Sequence, residues 1–275
     1  MAVTESPANK RFKGLKVAHP GRIGDSHAVI IEPSPRRVRV MFNGETIADS
    51  SNTRMLHEDG HLPMYYFPMD DVRMDLLEKT SHTTHCPYKG DASYWTVRAG
   101  GRAAENAVWG YEAPLPAQPA LKDLVAFYWG RMDHWFEEDE EIFVHPRDPY
   151  KRIDTIKSSR RVQISLGGEV VADSTEAVFL FETGLPTRYY IPRTDITAQL
   201  TASSLETACP YKGTAHYHNV EAGGKTYEDI VWYYPDPIAE IPKIKDLHCF
   251  FNEKVDAITV DSQAIPKQPS PWSDG

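Results

Sequence analysis

The chain has 275 residues, of which 41% are hydrophobic and 25% charged, and its formal net charge is −9. This length exceeds the usual size of a single hydrophobic core, so two domains are expected. The acidic balance argues against a nucleic-acid partner, because binding phosphate backbones requires clustered Lys and Arg. No apolar stretch approaches the ~20 residues that span a bilayer, and no apolar segment follows the basic N-terminus. We therefore expect a cytoplasmic protein without a membrane partner.

Three cysteines are spread along the chain, at Cys86, Cys209 and Cys249. They are too few and too scattered for a disulfide framework, and none belongs to a CxxC pair of the kind that binds zinc. The sequence therefore indicates a reducing compartment and predicts no cofactor.

The strongest feature of the sequence is an internal repeat. The segment Val38–Ser50 recurs 124 residues later as Val162–Ser174, and the pentapeptide Cys-Pro-Tyr-Lys-Gly occurs at 86–90 and again at 209–213. Chance does not produce such a series, so the chain contains two copies of one domain. The predicted division is an N-terminal arm at 1–36, a first repeat domain at 37–136, an acidic linker and ordered arm at 137–160, a second repeat domain at 161–260 and a loose tail at 261–275.

Each copy is predicted to consist mainly of β-strands. In chain order, strand patterns cover Val38–Phe42, Ile47–Ser50, Met64–Phe67, Ser93–Val97 and Ala107–Tyr111, and the last two return as Tyr217–Val220 and Ile230–Tyr234. Asn43-Gly44 and Gly100-Gly101 are typical of tight turns, because these residues tolerate positive φ. Helical spacing predicts short helices at Asp70–Leu77, at Leu121–Trp135 and from Ile244 to about Val255. The predicted fold class is mainly β (α+β), with each domain ending in a short helix.

The Cys-Pro-Tyr-Lys-Gly motif is the most distinctive candidate for chemistry. Cys86 and Lys89 in the first copy, and Cys209 and Lys212 in the second, place a thiol three residues from an ammonium group. Such a neighbour can lower the pKa of a thiol, and a thiolate is a nucleophile. The alternative is that Pro and Gly shape a turn while Cys fills an apolar hole and Lys faces water. Both interpretations stay open.

The approach to this motif differs between the copies. The first copy has His82 and His85 before Cys86, whereas the second has Leu205 and Ala208 at those positions. A strand places the two imidazoles on opposite faces and no second ligand pair is apparent, so no metal site is predicted. His85 remains a candidate proton acceptor or ligand-binding residue in the first copy.

Glu58 and Glu182 occupy equivalent positions in otherwise apolar segments. A carboxylate that is buried without a partner has a raised pKa and becomes a plausible general acid or base. An ion pair of Glu182 with Arg188 is the alternative in the second copy, since Met64 takes the place of that arginine in the first. Arg188 is therefore also a candidate for holding an anion.

Aromatic residues recur at matching positions and are candidates for lining a pocket, although small β domains also use them as core. The pairs are Tyr66 and Tyr190, Tyr88 and Tyr211, Tyr94 and Tyr217, Trp109 and Trp232, and Tyr111 and Tyr234.

At these residues the chain resembles the domain-of-unknown-function 427 family, in the tandem form common in actinobacteria. The resemblance covers about Arg37 to Val255 and depends on the two hairpin dipeptides, Glu182–Tyr190, both Cys-Pro-Tyr-Lys-Gly motifs and Trp232–Pro237. It implies a β-tent-like fold, in which two antiparallel sheets meet at an angle and enclose a cleft. A nucleotidyltransferase activity is sometimes attributed to the family, but the sequence has neither paired metal-binding aspartates nor a glycine-serine nucleotide motif.

Three hypotheses follow for function. The first is a small-molecule binding protein that holds its ligand between the sheets of one or both copies. The second is a cofactor-independent hydrolase, lyase or isomerase, whose catalytic candidates are Glu182, Cys209, Lys212, Glu58, Cys86 and Lys89. The third is a structural or protein-interaction module. The sequence does not identify the ligand, the active copy or the oligomeric state.

Overall fold

The computed structural model describes residues 27–270 and residue 273. It divides into two compact units, with the boundary between Pro146 and Arg147. Residues 1–26 of the predicted arm and residues 271, 272, 274 and 275 of the predicted tail lie outside the described residues. In the part of the chain that is described, no helix has the length and apolarity needed to cross a membrane.

The first unit consists of one seven-stranded and one four-stranded antiparallel sheet. Its strands are β1 Val29–Pro33, β2 Val38–Phe42, β3 Glu45–Ser50, β4 Arg54–Glu58, β5 Met64–Pro68, β6 Leu77–Cys86, β7 Gly90–Ala99, β8 Arg102–Gly110, β9 Leu124–Phe127, β10 His134–Glu137 and β11 Glu140–Ile142. The larger sheet has the order β1-β4-β5-β9-β8-β7-β6, and the smaller sheet has the order β11-β10-β2-β3.

The second unit repeats this plan. Its strands are β12 Ile153–Lys157, β13 Val162–Leu166, β14 Glu169–Ser174, β15 Val178–Glu182, β16 Arg188–Ile191, β17 Gln199–Cys209, β18 Gly213–Ala222, β19 Lys225–Tyr233, β20 His248–Phe250, β21 Ala257–Val260 and β22 Gln263–Ala264. The sheet orders are β12-β15-β16-β20-β19-β18-β17 and β14-β13-β21-β22. The predicted mainly β class, with tandem antiparallel sheets, is confirmed.

The predicted helices are wrong. The described helical segments are single 3-10 turns of three residues, at 69–71, 74–76, 119–121, 129–131, 193–195 and 242–244. Leu121–Trp135 begins at the last residue of one of these turns, contains strand β9 and the turn at 129–131, and ends in β10. The spacing of apolar residues in this segment matched a helix because β9 is buried on both faces. Val125 packs in one apolar cluster and Ala126 in another. A strand covered on both sides loses the alternation that distinguishes it from a helix.

Segments predicted as an arm, a linker and a tail take part in the sheets. Strands β1 and β12 are edge strands that pair with β4 and β15. The acidic run 137–141 lies in the hairpin of β10 and β11, where buried Glu137 accepts hydrogen bonds from Tyr65 at 2.8 Å and from Arg36 at 2.6 Å. Strand β22, within the predicted loose tail, pairs with β21.

The second unit contains a partly buried aromatic stack that the first unit lacks at the matching described positions. His218, Tyr233 and His248 lie on neighbouring strands, with ring centroids 4.9–5.3 Å apart. The repeat aligns these residues with Trp95, Gly110 and Val125. The Nδ1 atoms of both histidines are buried and have no hydrogen-bond partner in the described chain. Protonation of this stack is therefore unfavourable in the folded unit.

The histidine stack makes the stability of the second unit depend on pH. Burial, followed by repulsion from His218 and Arg193, lowers the pKa of His248 from 6.5 to about 4. Burial and Arg193 also lower the pKa of His218. Since the unfolded chain takes up these protons near pH 6.5 and the folded unit does so only at lower pH, acidification favours unfolding. We expect the free energy of unfolding to fall by on the order of 1–2 kcal/mol between pH 7 and pH 5.

Hydrogen exchange measured by mass spectrometry checks this, because it reports on each unit separately. His248→Val introduces the residue of the first unit and should reduce the pH dependence of the second. An equal loss of protection from hydrogen exchange in the second unit of the variant and of the parent protein, between pH 7 and pH 5, would contradict this prediction.

Candidate functional site

The Cys-Pro-Tyr-Lys-Gly motif forms the hairpin turn between the two longest strands of each unit. Cys86 pairs with Gly90 across the hairpin, and the Lys89 amide donates a hydrogen bond to the Cys86 carbonyl at 3.3 Å. Gly90 has φ +104°, and the equivalent Gly213 has φ +102°. A Cβ atom on Gly213 would lie 3.0 Å from the Asp236 carbonyl oxygen. Glycine is required there by both backbone conformation and close packing.

In the second unit the lysine of this turn points inward to a buried carboxylate. Lys212 Nζ lies 2.5 Å from Glu182 Oε2, and Lys151 Nζ lies 3.0 Å from Glu182 Oε1. The side chains of Lys212 and Glu182 are 10% and 4% exposed, so the pair is removed from water. Lys212 Nζ also lies 3.8 Å from Cys209 Sγ. The alternative in which this lysine faces water is therefore wrong.

The first unit has the same buried pair with one different partner. Lys89 forms an ion pair with Glu58, whose other oxygen lies 3.1 Å from His27 Nε2. His27 occupies the position of Lys151, 124 residues earlier in the chain. Neither His27 nor Lys151 was predicted, since each lies outside the repeated motif and adjoins an edge strand.

The charges around Glu182 determine what the group can do chemically. Burial raises the pKa of Glu182, but Lys212 and Lys151 lower it further, so the net shift is downward. The pKa of Lys212 is raised, because the attraction of Glu182 and Cys209 outweighs its burial. The pKa of Glu58 is likewise lowered, with Lys89 outweighing burial. At neutral pH these carboxylates are ionised and Lys212 is protonated, which suits a structural ion pair better than acid–base catalysis.

Arg188 does not pair with Glu182. It forms two hydrogen bonds with Glu253, at 2.7 and 2.8 Å, and its guanidinium lies 5.5 Å from the centre of the Trp232 ring. Both charged side chains are almost fully buried, and Ser270 of the predicted tail also donates to Glu253. The first unit has Met64 and Gly130 at these positions. The guanidinium is thus already bound by a carboxylate.

Most of the repeated aromatic residues belong to the core. Tyr66 and Tyr190 are buried, and each hydroxyl accepts a hydrogen bond at 3.1 Å from Trp109 and Trp232, respectively. Burial raises the pKa of both tyrosines. These side chains support the sheet and are not available as the walls of an open pocket.

The two tyrosines of the motif lie at the edge of the ion pair. Tyr88 is 44% exposed and stacks on His27 with ring centroids 3.8 Å apart. Tyr211 is buried and accepts a hydrogen bond from the Asp148 amide at 2.7 Å. Each therefore fixes the segment before the first strand of its unit against the turn.

The histidines near Cys86 do not converge. His85 Nδ1 lies 2.6 Å from Asp91 on the exposed surface, whereas the ring of His82 lies 4.5 Å from that of Tyr94. The described residues contain no group of three or more His, Cys, Asp or Glu side chains arranged to hold a metal ion. Cys249 is buried, and burial raises its pKa to about 12.

An open cleft of about 310 Å³ lies in the first unit, on the side of the β6–β7–β8 hairpins that carries Tyr94. Its lining residues are His82, Tyr94, Glu105, Asn106, Tyr128 and Arg131. The second unit has Leu205, Tyr217, Glu228, Asp229, Phe251 and Lys254 at these positions. The cleft was not predicted as a site from the sequence, although the differences between the two copies at its lining positions were a usable signal.

The aromatic residues of the cleft are held in place by one another. The Tyr94 hydroxyl lies 2.8 Å from Thr84 Oγ1, and Tyr128 packs against Trp109 with ring centroids 4.5 Å apart. Burial and the neighbouring Tyr94 raise the pKa of Tyr128. Tyr128 nevertheless remains 43% exposed. It therefore presents an aromatic surface that a ligand can contact.

Removing the buried carboxylate should unfold the second unit selectively. Glu182→Gln leaves two ammonium groups facing a neutral amide, and breaking a buried pair in this way costs about 3–5 kcal/mol. Chemical denaturation followed by hydrogen exchange in each unit measures the loss. Asp261→Asn, which removes one charge of an exposed ion pair with Arg160, is the control and should cost far less stability. Equal effects of the two substitutions would show that the buried pair does not stabilise the unit.

The Arg188–Glu253 pair predicts a strongly non-additive mutant cycle. Arg188→Met and Glu253→Gly each remove one charge of the buried pair, whereas the double substitution recreates the combination of the first unit. We expect each single variant to lose about 3 kcal/mol or more and the double variant to lose less than the sum of the two. Thermal unfolding of all four proteins gives the coupling energy, and simple additivity would contradict the prediction.

Comparison with known proteins identifies the family. A search of curated proteins found no match. The family model described as "Domain of unknown function (DUF427)" matches the chain twice, at residues 30–138 and 154–261. Each match begins in the first edge strand of a unit and ends near the last strands of its four-stranded sheet. The repeat found in the sequence and the two structural units thus correspond to two copies of one family domain, and the chain is a tandem member of the DUF427 family.

Proposed function

We propose that this protein binds a small polar molecule in the cleft of its first unit. The observation that carries the proposal is the cleft of about 310 Å³, which combines exposed aromatic surface with charged and amide side chains. Ligand sites generally combine apolar walls with a few directed polar groups. The cleft has this composition, because the aromatic ring of Tyr128 lies beside the polar side chains of Glu105, Asn106 and Arg131.

The cleft is a better candidate than the buried ion pairs. Glu58, Glu182 and Lys212 are occupied by partners within their own units, so a ligand that used them would have to break a buried pair. Such a break is costly, whereas groups exposed at the cleft can be bound without loss of an internal contact. The proposal thus moves the ligand away from Tyr66, Tyr190, Trp232 and Arg188, which the sequence had suggested.

The differences between the copies support a single binding unit. Tyr128 is replaced by Phe251, and His82 by Leu205, so the second unit lacks two hydrogen-bonding groups at the equivalent surface. Lys254, the equivalent of Arg131, lies over the Phe251 ring at 4.9 Å. The scaffold is repeated while the lining differs, as expected when one copy binds and the other supports the fold.

A thiol-dependent enzyme is the second candidate, favoured by the contact between Lys212 Nζ and Cys209 Sγ. The Cys209 thiol is partly exposed, and an accessible thiol can attack an electrophile. The rate of alkylation by iodoacetamide at Cys209, compared with that at buried Cys249, tests this proposal. A Cys209 that reacts as slowly as Cys249 would exclude it as a nucleophile.

Ligand binding is tested by thermal unfolding of the full chain against a broad panel of polar metabolites, together with native mass spectrometry of gently purified protein. We expect at least one compound to raise the melting temperature and Arg131→Ala or Tyr128→Ala to abolish the shift. Lys254→Ala is the matched control in the second unit and should retain the full shift. A shift that survives both cleft substitutions would place the ligand elsewhere, and the absence of any shift or bound mass would contradict the proposed function.

A further inference from the structure

We infer that the ligand of the first-unit cleft is a zwitterion with an aromatic portion, of the chemical class of the aromatic amino acids. This inference rests on the proposed binding function and specifies its ligand. It follows from three features of the cleft: two opposite charges that form no ion pair among the described residues, an amide group, and exposed aromatic rings.

The first feature is a pair of opposite charges without internal partners. Glu105 and Arg131 line the cleft, both are exposed, and neither forms an ion pair within the described chain. Other charges on the same strands are paired: Arg102 lies 2.8 Å from Asp133, and Arg98 lies 2.5 Å from Glu78. One free carboxylate and one free guanidinium at the same cleft match an ammonium and a carboxylate on a single ligand.

The second feature is the orientation of Asn106. Its side-chain Oδ1 accepts a hydrogen bond from Thr80 Oγ1 at 2.7 Å, and its Nδ2 group has no hydrogen-bond partner among the described residues. The residue has φ +48°, a conformation that Asn and Asp tolerate better than most residues. Asn106 and Arg131 therefore supply donors for a ligand carboxylate, while Glu105 supplies the acceptor for an ammonium group.

The third feature is the set of aromatic surfaces. The exposed rings are those of His82 and Tyr128. His82 packs against buried Tyr94 with ring centroids 4.5 Å apart at an angle of 57°, and Tyr128 is backed by Trp109. Rings that are fixed by neighbours lose little conformational entropy when a flat group packs on them. A small zwitterion with an aromatic side chain uses all three features, whereas a purely anionic ligand would face repulsion from Glu105.

The second unit provides an internal contrast. Asp229 replaces Asn106 with nearly the same backbone, φ +51°, and converts an amide donor into a carboxylate. This change places a second negative charge beside Glu228, where a ligand carboxylate would otherwise bind. The second unit should therefore exclude the zwitterion, and it also shows that the fold accommodates Asp at this position.

The test uses L-tryptophan, L-tryptophanamide and N-acetyl-L-tryptophan, titrated into the full chain and followed by NMR. The amide lacks the carboxylate, and the acetylated compound lacks the ammonium charge. We expect L-tryptophan to bind and each modified compound to bind about tenfold more weakly. Asn106→Asp should weaken L-tryptophan binding by a similar factor without unfolding the unit.

Substitutions that remove one charged side chain at a time test which protein group binds which ligand group. Arg131→Gln should weaken the binding of L-tryptophan about tenfold and leave the affinity for tryptophanamide unchanged. Glu105→Gln should weaken the binding of L-tryptophan and leave the affinity for N-acetyl-L-tryptophan unchanged. Lys254→Gln and Glu228→Gln are the matched controls in the second unit and should not change binding.

The outcomes separate this inference from the proposed function. Equal affinity of the protein for all three compounds would overturn the zwitterion assignment. An equal loss of affinity for all three compounds in each charge variant would also overturn it. Failure of L-tryptophan, L-phenylalanine and L-tyrosine to bind, while another metabolite shifts the melting temperature through Tyr128, would overturn it and leave the binding function standing. Absence of any cleft-dependent ligand would overturn both.

Discussion

The structure of each unit depends on a buried lysine–glutamate pair. The pair connects the Cys-Pro-Tyr-Lys-Gly turn to a distant strand of the same large sheet. Lys212 belongs to the β17–β18 hairpin, whereas Glu182 ends β15, and three strands separate β15 from β18 in the sheet. The pair therefore spans the face that holds Tyr190 and Tyr234. Because neither charge is stable there without the other, the turn, strand β15 and the aromatic core must form together.

This role explains why both copies retain the motif while the surroundings differ. The carboxylate of the pair has a third partner in each unit. His27 contacts the second oxygen of Glu58, and Lys151 contacts the second oxygen of Glu182. Residues committed to such a pair have little capacity left for a ligand. Chemical specialisation is found instead at surfaces that the scaffold leaves free, above all the cleft of the first unit.

The sequence predicted the repeat, the strand-rich class and the hairpin turns, because these depend on local patterns and on glycine at positive φ. It failed at β9, whose side chains are buried on both faces, and at β1 and β12, whose strand character comes from pairing with distant segments. Glu182 and Lys212 were singled out, but their contact was not, since spacing along the chain does not reveal which residues meet across a sheet. Arg188 was assigned the wrong partner for the same reason.

The central claim is that the ion pair is scaffold and the cleft is the binding surface. Side-chain NMR of the full chain, titrated with a compound that raises its melting temperature, tests this most directly. The account predicts that chemical shifts change at Asn106 and Arg131 and stay constant at the Nζ groups of Lys89 and Lys212. Changes centred on Lys212 with an unperturbed Asn106 would contradict it.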